Sequence, residues 1–136
     1  MKSLLLLFYC CIPLLICAQH YERYYDFRWN PCSSAEARFY SELNKKDDLW
    51  ERKDYFIHER SLQMIGSYTD TSCKIPVGHF EYYYPNKNLD SIGVYKNGKK
   101  NDVWLTYYPN QIMKDSNTYL DGNAIGINMS WHSNGI

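Results

Sequence analysis

The sequence predicts an all-β protein in which the strands follow one another as a single-layer antiparallel meander. Of its 136 residues, 14 are tyrosine and 17% are aromatic, and aromatic side chains pack well on a pleated strand. The motif Tyr-Pro-Asn at 84–86 returns at 108–110. The dipeptides Asn-Gly at 97–98 and Asp-Gly at 121–122 have the same spacing, and both readily form the two-residue turns of β-hairpins.

The 24-residue period that these motifs define extends through the segments between the turns. Two further sets of residues recur at the same spacing: Phe80, Trp104 and Asn128, and Gly78, Asp102 and Gly126. A weaker copy lies upstream, where 62–68 parallels 89–95 with a spacing that is slightly longer. A period of this length indicates an array of supersecondary units, each too small to bury its own apolar face.

Each unit is predicted to be a β-hairpin. Its strands are short, aromatic and β-branched, with Pro-Asn at one end and Gly or Asp at the other. Pro85 and Pro109 lack a backbone N–H, so they belong in the turns opposite the Asn-Gly and Asp-Gly turns. The pattern predicts strands near 49–57, 62–69, 78–84, 89–95, 103–108, 112–120 and 126–132.

Residues 33–43 fit two interpretations. Ser33 and Glu36 have capping-box spacing, and apolar residues four apart would form a helical stripe. The same segment also alternates, so that Phe39 and Leu43 would face one way and Tyr40 the other. The strand is favoured because it continues the meander, with 44–48 as the turn into the next strand.

The first eighteen residues resemble a secretory signal peptide. Lys2 precedes an apolar run from 4 to 17 that is too short for a membrane span, and Ala18 provides the small residue at its end. Cleavage is expected after Ala18, giving an exported bacterial protein that is periplasmic or extracellular. A lipoprotein signal with Cys17 as the lipidated residue is the alternative, and Ile16 before it disfavours that.

Removing residues 1–18 changes the cysteine content. Only Cys32 and Cys73 remain in residues 19–136. In an oxidising compartment they could pair, and the closed loop would contribute about 4 kcal/mol in the chain-entropy account; two unpaired thiols are the alternative. The remaining chain has no Cys-x-x-Cys motif or Cys/His cluster, so no metal site is expected.

The repeat resembles a known family. Gly78-x-Phe80-x-Tyr82 followed by Tyr-Tyr-Pro-Asn, and the later run from Gly93 through Asn-Gly to Trp104, are similar to the variant MORN repeat (membrane occupation and recognition nexus). The resemblance covers 49–136, preceded by a segment at 19–48 that leads into the sheet. It implies exported bacterial β-hairpin repeat proteins, often labelled toxin–antitoxin system antitoxins of the YwqK type.

The sequence departs from that repeat at several positions. Asp102 replaces the glycine before Trp104, and Asn128 replaces the aromatic residue of the last unit. Lys87 and Gln111 stand where a glycine is expected after Tyr-Pro-Asn. These substitutions affect the outer turns, and the last unit departs most from the repeat.

Composition and motifs exclude several classes of function. The 15 basic and 15 acidic residues give a net charge of zero, which argues against nucleic acid as a partner. Lys96, Lys99 and Lys100 form the only basic cluster, too small to hold the domain on a membrane. No nucleophile, phosphate-binding or zinc-protease motif occurs, so neither an enzymatic activity nor a cofactor is expected.

The aromatic rows provide the candidate binding residues. Alternation places aromatic side chains on both faces of the sheet, so one row is expected to form the core and a second to remain exposed to a protein partner. The candidates are Tyr82, Tyr84, Trp104, Tyr108 and Trp131. The strand at 126–132 would end the sheet, and its unpaired edge could add a partner strand or a second copy of the chain.

Three functions follow from these observations. The first is a non-catalytic protein-interaction module or scaffold. The second, implied by the resemblance alone, is an antitoxin or immunity protein that masks a toxin. The third, disfavoured by the small basic cluster, is binding to a membrane surface.

Overall fold

The computed structural model describes residues 19–135, and these form one antiparallel sheet whose nine strands lie in chain order. The strands are β1 (His20–Tyr25), β2 (Phe39–Lys46), β3 (Leu49–Phe56), β4 (Ser61–Tyr68), β5 (Pro76–Tyr83), β6 (Leu89–Lys96), β7 (Lys99–Tyr107), β8 (Met113–Leu120) and β9 (Asn123–Ser130). The predicted all-β meander is therefore confirmed. The predicted signal peptide at 1–18, with its cleavage site and Cys17, lies outside the described residues.

The N-terminal part of the sheet differs most from the sequence-based expectation. The segment 19–48 contributes two strands of its own, since β1 pairs with β2 over its whole length. Only the second half of 33–43 is a strand. The Ser33 hydroxyl donates to the Glu36 carboxylate (3.1 Å) within an isolated turn. The residues with capping-box spacing therefore do not begin a helix.

Because several turns are only two residues long, several strands begin or end at other residues than predicted. The turn between β2 and β3 needs only Asp47, at φ 55°, and Asp48, so β2 continues to Lys46 through part of the predicted turn. The last strand was predicted at 126–132 but runs from Asn123 to Ser130, because a two-residue turn begins the next strand at once.

The Asn-Gly and Asp-Gly turns have the predicted geometry. Asn97 and Gly98 have φ of 50° and 79°, and Asp121 and Gly122 have φ of 49° and 87°. Two consecutive residues with positive φ define the type I′ turn, whose twist matches that of the flanking strands. These dipeptides therefore determine where β6 turns into β7 and where β8 turns into β9.

The opposite turns hold their shape without the expected glycine. The Tyr84 N–H donates to the Asn88 carbonyl and the Lys87 N–H to the Tyr84 carbonyl, at 2.8 and 2.9 Å. Lys87 lies in the left-handed region at φ 71°, and Gln111 does the same in the next repeat at φ 66°. The conformation is thus retained at both positions where the sequence departs from the repeat.

A glycine lies beneath each of two buried aromatic rings. Phe80 and Trp104, 1% and 3% exposed, are buried on one face of the sheet together with Met64. The Phe80 ring lies over Gly66 of the preceding strand, and the Trp104 ring lies over Gly93. A methyl group at either glycine would overlap with the ring above it.

Both partners of this contact are absent from the last repeat. Asn117 takes the place of Gly93 in the next repeat, and Asn128 takes the place of Trp104. Every residue of β9 is exposed. The buried core therefore ends before the last strand of the sheet.

The substitution Gly93→Ala is expected to lower the free energy of unfolding by about 1–3 kcal/mol, because the new methyl group must displace the Trp104 ring. Chemical denaturation measures the change. Asn117→Ala, at the same position of the next repeat, is the control and is expected to change stability by about 0.5 kcal/mol or less. Equal losses in the two variants would contradict the packing argument.

The substitution Lys87→Gly is expected to stabilise the protein by about 0.5–1 kcal/mol. A left-handed conformation costs a residue with a side chain about 1–2 kcal/mol, and the greater freedom of glycine in the unfolded chain offsets part of that gain. Thermal and chemical unfolding test this. Lys87→Ala, which removes the long side chain but keeps Cβ, should give no such gain; equal effects of the two variants would refute the backbone explanation.

Candidate functional site

Two of the predicted binding residues hold successive repeats together. The Tyr84 hydroxyl donates to the Tyr107 carbonyl (2.8 Å), and the Tyr108 hydroxyl donates to the Trp131 carbonyl (3.0 Å). The Asn86 amide makes an equivalent bond to the Pro109 carbonyl (3.2 Å). The Tyr-Pro-Asn motif therefore ties each outer turn to the next, which gives the repeated tyrosine a structural role.

Trp104 and Tyr82 belong to the core instead of a second exposed row. The Trp104 indole N–H donates to the Val94 carbonyl (3.1 Å), and burial leaves this side chain no surface to offer a partner. The Lys100 ammonium lies 4.3 Å from the centroid of the Trp104 ring, so one lysine of the basic cluster is part of the same packing. Tyr82 is half-buried against the core.

Trp131 lies just beyond β9 and is half-buried. Its backbone N–H donates to the Lys114 carbonyl (2.9 Å), which continues the pairing of the last two strands. The five predicted residues therefore do not converge on one surface. The structure distributes them between the core, the outer turns and the end of the sheet.

A charged pair lies buried in the N-terminal half of the sheet. The Arg52 guanidinium donates to the Asp54 carboxylate (2.8 Å) and to the Ser41 hydroxyl (3.1 Å), and Ser41 donates to Asp54. Burial raises the pKa of Asp54, while the guanidinium beside it opposes that rise. The guanidinium also lies over the rings of Tyr25 and Trp29. This pair is balanced in charge and anchors the loop that contains Trp29.

Residues 19–135 contain two cysteines and several possible metal ligands. Cys32 and Cys73 are free thiols, and burial raises the pKa of both, which disfavours the reactive thiolate. Within this range no group of three or more His, Cys, Asp or Glu side chains is placed to hold a metal ion. The same residues contain no helix long and apolar enough to cross a membrane.

The two edges of the sheet differ in how they are protected. Along β1, the Cys32 N–H donates to the Tyr24 carbonyl (3.0 Å), and Tyr25 pairs with Pro31. The strand also carries charged side chains, which discourage edge pairing. In contrast, β9 carries no charged residue, and it ends the strand order of the described sheet.

The repeat reveals the geometry of the open edge. On β5 and β7, the pairing with the preceding strand contains a shift of register. The pairing with the following strand is regular, from Gly78 to Tyr82 on β5 and from Asp102 to Thr106 on β7. β9 has the same shift towards β8. Its open edge over 126–130 therefore corresponds to the regular side of β5 and β7.

An apolar row runs along one face of this edge strand. Ile125, Ile127 and Met129 alternate with small or polar residues, and their exposed fractions are 42%, 84% and 49%. Val103 on β7 is half exposed and lies opposite Thr118, which in turn lies opposite Ile125. The sequence shows this alternation, but the prediction assigned the exposed row to aromatic residues instead.

One carboxylate ties β9 to the two strands before it. Asp115 on β8 accepts a hydrogen bond from the Ser130 hydroxyl (2.7 Å) and another from the Thr106 hydroxyl (2.9 Å). These bonds lower the pKa of Asp115, because they favour its ionised form. Its charge state therefore contributes to the attachment of β9.

No protein-family model, curated protein or solved structure matches this chain. The edges and faces of the sheet are therefore the features that bear on function. The open edge of β9 presents backbone donors and acceptors beside an apolar row, which is the arrangement that strand addition uses.

Acidification is expected to loosen β9. Because hydrogen bonding lowers the folded-state pKa of Asp115 below its ordinary value of 3.8, its contribution is complete above that value and is lost as the pH falls through the folded-state pKa. Amide exchange at β9, measured by NMR as the pH is lowered, should show this loss. Asp115→Asn should remove this component of the pH dependence, and identical acid profiles for the two proteins would contradict the assignment.

Proposed function

We propose that the protein is a non-catalytic interaction module, exported after removal of residues 1–18 and related to the variant MORN repeats, that binds an extended strand of a protein partner. The observation that carries the proposal is the uncharged edge of β9 at the end of the described sheet. A partner strand would pair antiparallel over 126–130, where the repeat geometry is regular on the open side.

The energetics of this edge favour strand addition. Each backbone hydrogen bond to a partner strand, formed in exchange for hydrogen bonds to water, contributes about 0.5–1.5 kcal/mol net to binding. Burial of apolar surface along Ile125, Ile127 and Met129 contributes in addition. A charged edge would oppose such pairing, whereas β9 has no charge that would have to be removed from water.

The neighbouring repeat indicates what the partner strand resembles. β6 pairs with the regular side of β5, where Val94 lies opposite His79 and Ile92 lies opposite Glu81. The equivalent positions two repeats later, on β9, are Ile127 and Met129. A strand with the sequence of β6 would therefore place Val94 against Ile127 and Ile92 against Met129. This argues for a partner segment with apolar side chains on that face.

A peptide with the sequence Leu89–Lys96 is expected to bind β9 and to shift the amide resonances of 126–130. Ile127→Lys should weaken that binding about tenfold or more, because it places a charge in the apolar row. The measurement is an NMR titration, with a scrambled peptide as the sequence control. Leu120→Lys adds the same charge at an exposed position of β8 and should leave the affinity unchanged.

Light scattering and the peptide titration together distinguish two further outcomes at the β9 edge. Light scattering that shows a dimer, which Ile127→Lys converts to a monomer, would identify a second copy of the chain as the occupant of the same edge. A strict monomer whose 126–130 amides do not respond to the peptide would refute strand addition at β9.

A further inference from the structure

A groove lined by three tyrosines lies at the other end of the sheet from β9. Tyr24, Tyr40 and Tyr55 lie side by side on β1, β2 and β3, since Tyr24 pairs with Tyr40 and Tyr40 with Tyr55. Their ring centroids are 5.3 and 5.8 Å apart. They line an open groove of about 510 Å³, here called the tyrosine groove, together with Ser34, Glu42, Phe56, Ile57 and Arg60.

Two carboxylates bind the hydroxyls of two of the three tyrosines in this groove. The Tyr40 hydroxyl shares its one proton between Glu22 (2.9 Å) and Glu42 (3.2 Å), and the Tyr55 hydroxyl donates to the other oxygen of Glu42 (3.2 Å). Burial, reinforced by Glu42, raises the pKa of Tyr55 to about 12. The Tyr55 hydroxyl therefore stays protonated, and these bonds fix the positions of the Tyr40 and Tyr55 rings.

Glu42 forms no salt bridge among residues 19–135, although its charge acts on His20, whose imidazole is hydrogen-bonded to Asn44 and Glu22. Lys53 lies opposite it on β3, but the Lys53 ammonium is directed to Glu51 at 3.6 Å. Arg60 lines the groove from an exposed turn, where solvent screens its charge. A half-buried carboxylate thus adjoins Tyr40 and Tyr55 without a salt bridge of its own in the described part of the chain.

We propose that the tyrosine groove binds an organic ammonium group. Aromatic faces attract cations through their quadrupole, and rings grouped around a site are the usual means of recognising quaternary ammonium groups. Glu42 supplies the negative charge that such a ligand would neutralise. An apolar wall with a few converging polar groups is also the usual composition of a small-molecule site. This site is independent of the strand addition proposed for β9.

The first test compares choline with 3,3-dimethylbutan-1-ol, its neutral isostere, by NMR titration of the purified protein. Choline is expected to shift the ring resonances of Tyr24, Tyr40 and Tyr55 to saturation and to bind about tenfold more tightly than the neutral compound. Equal affinities would show that apolar burial alone is responsible and would overturn the proposal. N-acetyl-lysine methylamide, titrated in parallel, distinguishes a protein lysine from a small molecule as the source of the ammonium group. Failure of both ammonium probes to bind would also overturn it.

Matched variants test the residues that carry the proposal. Glu42→Gln keeps the size and the acceptor oxygen but removes the charge, and should weaken choline binding about tenfold. Tyr24→Leu keeps an apolar surface without a π face and should weaken it as well. Glu81→Gln is the control, because Glu81 also accepts a hydrogen bond from a tyrosine hydroxyl, that of Tyr83, but lies outside the groove. Unchanged affinity in Glu42→Gln, with the rest of the spectrum intact, would refute the role of the carboxylate.

Discussion

The contact between an aromatic ring and a glycine on the preceding strand is the interaction on which this sheet depends. A single-layer sheet has no second layer to cover its apolar residues, so the rings of Phe80 and Trp104 must lie flat across the sheet itself. They do so because Gly66 and Gly93 leave room for them. Leu43 and Trp50 are buried in the N-terminal strands without such a pair, and towards the C-terminus the core ends where Asn117 and Asn128 replace both partners.

This ending explains how a regular repeat can also provide a binding surface. In the interior, each strand edge is covered by the next hairpin, and tyrosine and asparagine side chains tie the outer turns together over successive repeats. At β9 the backbone pattern continues, since Gly126 keeps the positive φ of Gly78 and Asp102. The packing does not continue, because Asn128 supplies no ring. The free edge of β9 is thus suited to pairing with another strand, and no strand of the described residues pairs with it.

Charge is distributed in the same uneven manner. In the N-terminal strands, several acidic and basic side chains are engaged with one another or with tyrosines, as in the buried pair of Arg52 and Asp54. β9 has no charged side chain. The protected edge, the tyrosine groove and the buried ion pair therefore lie among the N-terminal strands, whereas the apolar edge lies at the C-terminal end. A net charge of zero conceals this division.

The sequence alone determined the meander, the 24-residue period and the Asn-Gly and Asp-Gly turns, because these depend on local propensity and on residues a few positions apart. It did not determine that 20–25 forms a strand, that Trp104 is buried, or that Tyr84 and Tyr108 bond the next turn. Nor did it bring Tyr24, Tyr40 and Tyr55 together beside Glu42. These features depend on the register between strands, which sets the face and the neighbours of each side chain. A one-residue change of register would reverse every face, so only the paired sheet decides which tyrosines form the core, the turns or the groove.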